Sequence, residues 1–415
     1  MEYWKKMVIV NAVGTFTDVA DIFIMMFLIA LLIPVWGIGP ADIALIPLIG
    51  TPVGIISTLA AGVLLDTLGR KKTWVIGNLG AGIFSLLMAI SQNWIQFVVL
   101  NALRSAINML AIQGVYVIIA EEAPADRRSF VDALATSLPG LFAQVGLGAL
   151  VALGILWRFL LVFVGIANLV AVVLGILILR EPPIWLERRK LRKEGEKGGW
   201  AKNIKLLLDK RYRGVYWSAV IVAVLIGFRA AFHVPYSDYG SWFMVTILGF
   251  GPIIGYWGML SGVFDTIVRH YIGWLADKLG RLKSGLIFVI LAIISSQIMW
   301  RLPYFIPVGP HLALIIPWVI CYYIYNHVGH TDLGWFMMIG ESIPTPIRAV
   351  GMTLQSVIRS LLLLALSPAV GFIVAGLPSP IELFCWYQLA IGVIALIIIV
   401  LAMKKGYETA GKELE

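Results

Sequence analysis

Charged residues are scarce in this chain: Asp, Glu, Lys and Arg fill only 13% of its 415 positions. Hydrophobic residues fill 60%, and the mean hydropathy is +0.92. A soluble domain of this length could not bury so much apolar surface, so the composition excludes a soluble protein. Most of the chain is therefore expected to face lipid.

Cysteine and the common catalytic motifs are scarce as well. The two cysteines, Cys321 and Cys385, lie far apart in the sequence and predict no disulfide framework. The sequence has no His-Glu-x-x-His zinc motif, no phosphate-binding glycine loop and no nucleophile elbow. Asp18 and Asp21 interrupt the first apolar stretch, so we expect no cleavable signal peptide. These absences argue against a membrane enzyme, and they predict neither a cofactor nor a metal site.

What the chain does have is a succession of long apolar stretches. A bilayer core about 30 Å thick needs about 20 apolar residues in each helical span. By that measure the sequence predicts an all-α membrane protein with twelve transmembrane helices. The predicted spans cover residues 7–35, 40–65, 72–90, 94–120, 131–156, 158–179, 214–247, 252–276, 284–301, 312–340, 350–375 and 380–403.

The net charge of +9 does not indicate a nucleic-acid partner, because of where the charges lie. Lys and Arg concentrate at the N-terminus, in the loops that follow even-numbered spans, in a central stretch and in the C-terminal tail. The positive-inside rule then predicts that both termini are cytoplasmic and that the protein sits in the inner or plasma membrane. The most polar stretch, 181–213, predicts a cytoplasmic linker with short amphipathic helices. It separates an N-terminal half, 1–180, from a C-terminal half, 214–415.

The two halves repeat each other. The sequence GVLLDTLGRKK at 62–72 recurs as GWLADKLGRLK at 273–283, shifted by 211 residues. The sequence EEAPADRR at 121–128 recurs as ESIPTPIR at 341–348, shifted by 220 residues. A parallel repeat of this kind predicts two pseudo-symmetric six-helix halves related by an axis along the membrane normal, with a cavity between them.

These motifs carry a family resemblance. The Gly-x-x-x-Asp-x-x-Gly-Arg-x-Lys sequence at 62–72 resembles the cytoplasmic signature loop of the major facilitator superfamily. REPPIWLE at 180–187 resembles the Pro-Glu-Ser-Pro-Arg-Trp-Leu motif that follows span six in sugar porters and organic ion carriers. Residues 335–348 resemble the end of their span ten, and 408–415 resemble their Pro-Glu-Thr-Lys-Gly tail. The resemblance implies the major facilitator fold and a monomeric secondary transporter working by alternating access.

The resemblance also implies a gating network of acids and bases on the cytoplasmic face. The alternative is that these charges only mark tight turns and fix the topology. The residues assigned to this network are Asp66, Gly69, Arg70, Lys71, Glu121, Glu122 and Arg128 in the first half, and Asp277, Gly280, Arg281, Glu341 and Arg348 in the second.

Ionisable residues inside predicted spans are costly and mark functional candidates. Counting 1.5 Å per residue places Asp18 in span one and Arg104 in span four at about mid-membrane. We expect Asp18 to carry a proton and Arg104 to be its counter-ion. Asp21 lies on the same helix face and is a rival proton carrier. The alternative is a static buried ion pair that holds two helices together.

The second half offers a different set of polar groups for binding a solute. Two histidines spaced three residues apart lie near the level that corresponds to Arg104. The alternative for each histidine is an ordinary packing role. The candidate substrate contacts are Arg229, His233 and Asp238 in span seven, Asn326, His327 and His330 in span ten, and Gln113 and Tyr116 in span four.

The substrate class follows from where the resemblance to sugar porters fails. Their span-seven glutamines are replaced here by Arg229 and His233, whereas TDVADIF at 17–23 resembles phosphate and organic-acid symporters. Val115, however, replaces the acidic residue of phosphate carriers. Positive charge at Arg104 and Arg229 favours a carboxylate or an organophosphate. The sequence thus predicts proton-coupled symport of a small organic anion; a sugar or polyol porter and a non-transporting nutrient sensor remain alternatives.

Overall fold

The structure is a computed structural model in which nearly all described residues are helical. It describes residues 2–122, 128–183, 185–187, 189, 213–250, 254–306, 316, 318, 320–322, 325, 335, 338 and 348–408. Helices dominate because the apolar stretches satisfy their backbone groups internally, as hydrocarbon surroundings require. The prediction of an all-α membrane protein is confirmed.

Six long helices form the N-terminal part of the chain, in agreement with the first six predicted spans. Each begins and ends within about five residues of its predicted span, since glycine, proline and charged residues mark the boundaries. The helices are α1 (Tyr3–Trp36), α2 (Pro40–Thr67), α3 (Arg70–Ala89), α4 (Trp94–Glu122), α5 (Arg128–Ala152) and α6 (Trp157–Ile178).

Five more long helices are described in the C-terminal part, and the predicted seventh span is broken. After α7 the chain turns and continues as the short helix Gly240–Trp242 and the π-helix Phe243–Ile247. Most of the predicted tenth span, 312–340, lies outside the described residues. The long helices are α7 (Arg213–Ser237), α8 (Ile254–Leu279), α9 (Arg281–Phe305), α10 (Arg348–Ala375) and α11 (Ile381–Lys404).

Membrane-spanning potential is distributed along the chain. Within the described residues, eight helical stretches are long and apolar enough to cross a bilayer. The most apolar of them, Trp157–Ile178, has a mean hydropathy of 2.9. The described cysteines, Cys321 and Cys385, are both free thiols.

The chain divides into two compact units. Unit 1 comprises residues 1–38, 48–198 and 252–263, and unit 2 comprises residues 39–47, 199–251 and 264–415. The boundary between the units in the centre of the chain falls inside the polar stretch that the sequence identifies as a linker. Each unit also takes in one short segment from the other half of the sequence.

Unit 1 is built around α3, which packs closely on α4 and α6. A methyl group added to Gly77 of α3 would lie only 2.4 Å from the backbone nitrogen of Ala111 in α4. Close approach at small residues is how helices gain packing energy in lipid, where no water is released between them. Trp74 of α3 is fully buried in the resulting core, beside Val115 and Ile118 of α4.

Candidate functional site

Arg70 is the centre of an ion-pair network at the signature end, which we define as the end of unit 1 where α2 ends and α3 begins. Its guanidinium donates two hydrogen bonds to Glu121, from Nη2 to Oε1 (2.9 Å) and from Nε to Oε2 (3.1 Å). Its Nη1 donates to Asp66 Oδ1 (3.1 Å) and to the carbonyl of Leu65 (2.8 Å). The Arg70 side chain is 4% exposed, so this bidentate pair is largely shielded from water.

The start of α3 is capped by the carboxylate of Glu181, which follows α6 in the sequence. The Glu181 side chain accepts hydrogen bonds from the backbone nitrogens of Arg70 (2.7 Å), Lys71 (3.3 Å) and Lys72 (3.4 Å). These are N–H groups that the first helical turn leaves without helical partners, and the helix dipole favours an anion there. Gly69, with a φ of +116°, makes room for the Glu181 carboxylate.

Unit 2 repeats this arrangement at the start of α9. Glu408 accepts hydrogen bonds from the backbone nitrogens of Arg281 (3.0 Å) and Leu282 (2.9 Å). Gly280, which precedes them, has a φ of +95° and also faces the capping carboxylate. The 211-residue repeat therefore corresponds to the same local structure in both units. Sequence reasoning did not assign either glutamate, although both fall in the motifs that carry the family resemblance.

Arg180, the residue just before the linker, is bonded to the signature end. Its Nη2 donates to Glu122 Oε2 (2.9 Å), and its guanidinium carbon lies 3.9 Å from the centre of the Tyr3 ring. The hydrogen bond to Glu122 raises the pKa of Arg180. Trp185 adds a hydrogen bond from Nε1 to the Asp66 carbonyl (3.0 Å). Glu122 is thus paired with Arg180, a partner that the sequence did not indicate.

Substituting Gly69 by alanine should destabilise the protein. Alanine at a φ of +116° is strained, and its methyl group would lie 2.3 Å from a Glu181 oxygen. We expect a loss of about 1–2 kcal/mol, measured by thermal unfolding in detergent micelles. Gly62→Ala in α2 is the matched control, since a methyl group there has open space around it. Equal melting temperatures for the two variants would contradict the prediction.

Asp18 lies half-buried in α1 and is held by an asparagine of α4. Asn108 donates a hydrogen bond from Nδ2 to Asp18 Oδ1 (2.9 Å). One turn away on α4, the buried Arg104 donates from Nη2 to Asn101 Oδ1 (2.9 Å). The structure therefore brings α1 and α4 together at Asp18, and it surrounds the predicted acid and base with amides.

Sequence reasoning missed both asparagines. Asn101, Arg104 and Asn108 are spaced by three and four residues, which places them on one face of α4. That spacing predicts a polar face on α4. It does not predict which neighbouring helix packs against that face. The predicted contact residue Gln113 is half-buried on the same helix.

A small pocket adjoins Asp18 within unit 1, between α1, α3 and α4. We call it the Asp18 pocket. It is lined by Gly14, Thr15, Asp18, Trp74, Ala111, Ile112 and Val115.

In unit 2, Pro235 shapes the region of the predicted solute contacts. Proline has no N–H, so the carbonyl of Ala231, one turn earlier, loses its helical donor. Tyr387 of α11 replaces it with a hydrogen bond from its hydroxyl (2.9 Å). The neighbouring Phe232 carbonyl accepts from Gln388 Nε2 (2.9 Å). Side chains of α11 thus stabilise the distorted end of α7, as expected for a proline inside a membrane helix.

His233 belongs to an aromatic cluster at the same level. Its ring centre lies 4.9 Å from that of Tyr325, and the Tyr236 and Tyr322 ring centres are 4.5 Å apart. All four side chains are buried. The cluster is consistent with a packing role for His233, the alternative that the sequence left open.

Asp238 follows the end of α7 and contacts α10. Its carboxylate accepts hydrogen bonds from the hydroxyls of Ser237 (2.7 Å) and Ser367. Tyr239 donates from its hydroxyl to the Ser367 carbonyl (2.7 Å) and packs against Gly371. Asp238 is therefore engaged in joining the broken helix to α10, while Arg229 lies half-buried two turns earlier on α7.

Removing the Tyr387 hydroxyl should test this account of the helix break. Tyr387→Phe leaves the Ala231 carbonyl without its side-chain donor and should cost about 1–2 kcal/mol of unfolding free energy. In a Pro235→Ala background the restored N–H can satisfy that carbonyl, so the same substitution should cost much less. Denaturant titration in mixed micelles measures the cost of Tyr387→Phe in each background. An equal cost in the two backgrounds would show that Tyr387 does not compensate for proline.

Several predicted residues cannot be placed. The side chains of Asp21, Tyr116, Arg128, Asp277 and Arg348 lie outside the described part of the structure, although their backbones are helical. Residues Asn326, His327, His330 and Glu341 lie outside the described residues altogether.

Comparison with known proteins decides the family. The model of the Major Facilitator Superfamily matches residues 12–368, which is most of the chain. The chain belongs to the major facilitator superfamily. The twelve-helix architecture of this superfamily and its two halves agree with the predicted fold. The protein is accordingly a multi-pass membrane transporter of the major facilitator type, and not an enzyme.

Solved structures share the fold at low sequence identity. The xylose transporter XylE from E. coli, in a partially occluded inward-open conformation, matches with a TM-score of 0.75, 18% identity and 100% coverage of both chains. A peptide transporter POT in complex with sulfate gives 0.73 and 14%, covering 98% of this chain and 95% of that one. A variant of the nucleoside transporter NupG gives 0.72 and 11%, covering 97% and 99%. A search of curated protein sequences found no match.

Proposed function

We propose that this major facilitator transporter couples the movement of protons to symport of a small organic anion, a carboxylate or an organophosphate. The observation that carries the proposal is Asp18, a carboxylate half-buried in α1 and hydrogen-bonded to Asn108. An acid inside a membrane helix is energetically costly, and such residues usually serve a function. In a carrier, the function that fits is reversible protonation. An asparagine partner suits both states, since its amide donates to a carboxylate and accepts from a carboxylic acid.

The anionic substrate is supported by the basic side chains on the helices that line the cavity in this superfamily. Arg104 of α4 is buried and oriented by Asn101, and Arg229 of α7 is half-buried. A guanidinium presents a planar set of donors that matches a carboxylate or phosphate. His233, Asp238, Gln113 and the span-ten residues remain candidate contacts of the solute.

A second candidate is a sugar or polyol porter. The likeness of the fold to xylose transporters, with TM-scores of 0.73–0.75 over nearly the whole chain, favours it. The span-seven Arg229 and His233, in the place of the sugar-binding glutamines, weigh against it. A nutrient sensor that moves no solute is the alternative outside transport.

We further propose that the signature end acts as a conformational switch on the cytoplasmic side of an inner or plasma membrane. The Arg70–Glu121 ion pair and the Glu181 cap stabilise one packed conformation of this end. Forming and breaking such a state would bias alternating access. The basic linker and tail support cytoplasmic termini.

Reconstituted protein can test the substrate class. Liposomes carrying a trapped pH-sensitive dye would receive lactate, succinate, glycerol 3-phosphate or xylose under an imposed pH gradient. We expect one of the anions to drive proton entry and to be taken up with it, and protein-free liposomes are the control. Uptake of xylose and of no anion would establish the porter alternative. Binding without uptake would favour the sensor.

A further inference from the structure

The indole of Trp74 presents a buried hydrogen-bond donor for which the described residues around it supply no acceptor. The side chain is 0% exposed, and its Nε1 makes no hydrogen bond within the described part of the structure. Buried donors without acceptors are costly and rare, so each one requires an explanation. A water molecule bound beside the indole would supply the missing acceptor.

The Nε1 edge of this indole lies at the Asp18 pocket. A methyl group built on Gly14, which lines the pocket, would lie 2.7 Å from Cζ2 and 3.5 Å from Nε1 of Trp74. Asp18 lies on the wall of the same pocket. The pocket has room for about one water molecule.

The Asp18 pocket lies on the side of Asp18 that faces the signature end of unit 1. Gly14 and Thr15 are about one turn from Asp18 toward the beginning of α1. Trp74 is about one turn from the beginning of α3, at the signature end. The pocket therefore lies between the Asp18 carboxylate and the signature end.

Unit 2 contains a counterpart that serves as an internal comparison. The 211-residue shift takes Trp74 to Gly285, and the 220-residue shift takes Val115 to Trp335. Trp335 is also 0% exposed with an Nε1 that makes no hydrogen bond within the described residues, and it packs on Gly285. Its described neighbours include the apolar Val222 and Leu225. The same indole is thus supplied by the opposite helix.

We propose that the Asp18 pocket holds a water molecule, fixed by the N–H of Trp74, that relays protons between Asp18 and the signature end. The proposal deepens the proposed function, because the relay serves the proton coupling assigned to Asp18. The water oxygen accepts from Nε1, which leaves both water hydrogens free to donate. One of them can be donated to the Asp18 carboxylate, which lines the same pocket.

The proton balance of the relay is simple. A proton arriving from the signature end forms a hydronium ion, the hydronium gives one proton to the carboxylate, and the water is restored. The net change is one proton plus Asp18 carboxylate giving Asp18 carboxylic acid. The indole N–H only donates and has no lone pair to accept, so Trp74 orients the water without intercepting the proton.

Radiolytic labelling of the wild-type protein tests whether the water is present. X-ray pulses convert bound waters to hydroxyl radicals, which oxidise adjacent side chains, and mass spectrometry measures the rates at individual residues. Trp300 is also 0% exposed, and its Nε1 donates to Gln388 Oε1, so it is the reference for a buried indole whose donor is already paired. We expect Trp74 to be oxidised several-fold faster than Trp300. Equal rates would overturn the proposal.

Infrared spectroscopy after a pH jump tests the relay without any solute. The carboxyl band of Asp18 is identified as the band that Asp18→Asn removes. Trp74→Phe keeps an aromatic ring but removes the indole N–H, and Trp335→Phe is the matched control. We expect protonation of Asp18 to slow about tenfold in Trp74→Phe, the factor expected for one lost hydrogen bond of ordinary strength, and to stay unchanged in Trp335→Phe.

Equal protonation rates in the two variants would overturn the relay even if Trp74 is labelled. The labelling result also stands apart from the proposed function. If Asp18→Asn still concentrates solute, proton coupling through Asp18 is wrong, whereas the presence or absence of the water is decided by the oxidation rates alone.

Discussion

Replacement of Asp18 by asparagine should abolish accumulation of the solute against its gradient while leaving exchange of the solute across the membrane intact. The amide is isosteric with the protonated carboxyl group and can still accept the hydrogen bond from Asn108. It cannot release a proton, so the cycle loses its coupling step. Exchange uses only loaded states of the carrier, and it therefore survives.

The size of the effect follows from the driving force. For one proton per solute molecule, a pH gradient of one unit supports an accumulation of about tenfold, since one unit corresponds to about 1.4 kcal/mol. Uptake of labelled solute into liposomes should show that ratio falling to about one in Asp18→Asn. Counterflow between labelled and unlabelled solute measures exchange in the same preparation.

Asp42→Asn provides the control for this substitution. Asp42 accepts a hydrogen bond from the Gly39 nitrogen (3.0 Å) at the beginning of α2, and asparagine keeps that acceptor. Its accumulation ratio should match the wild type. If Asp18→Asn still concentrates the solute, either Asp21 carries the proton or transport is uncoupled.

Replacement of Arg70 by glutamine should cause a large loss of stability. Arg70 and Glu121 form a bidentate pair whose side chains are 4% and 14% exposed. Removing the cation leaves a largely buried carboxylate uncompensated, and breaking such a pair costs about 3–5 kcal/mol. Denaturant titration in mixed micelles would measure the loss.

A double-mutant cycle separates the ion pair from other effects of the substitution. Glu121→Gln combined with Arg70→Gln removes the uncompensated charge, so the double variant should be more stable than Arg70→Gln alone. Arg301→Gln is the matched control, because Arg301 forms a similar bidentate pair with the half-exposed Glu382. That loss should be about 1 kcal/mol or less. A loss for Arg70→Gln no greater than this would contradict the burial argument.

The fold could be predicted closely from sequence because its physical determinants are local. The length of an apolar run fixes a span, and the glycines and charges of the 62–72 and 273–283 motifs fix where helices α3 and α9 begin. The seventh span breaks just after Pro235, because proline removes a helical hydrogen bond. The π-helix that follows the break was not predicted, since it depends on packing against neighbouring helices.

The candidate site could be predicted only in part, for a different physical reason. Residue counting predicts a depth for Asp18, but the rotation of α1 against α4 decides that Asn108 reaches it. Likewise, a motif placed Glu181 after the sixth span, but only the folded chain shows its carboxylate on three backbone nitrogens of α3. Contacts between distant segments depend on geometry that one sequence does not encode locally.

The exchange of an indole between helices, with Trp74 in one half and Trp335 in the other, bears on how the two halves diverged after duplication. Adding the second tryptophan before the first was lost would have crowded two rings into one space, and the opposite order would have left a void. Either order of substitution would therefore pass through a less stable arrangement unless Gly285 or Val115 changed with it. The two helices that meet at this position must therefore change together. A chimera that transplants α3 alone into the other half would place two indoles in the same space.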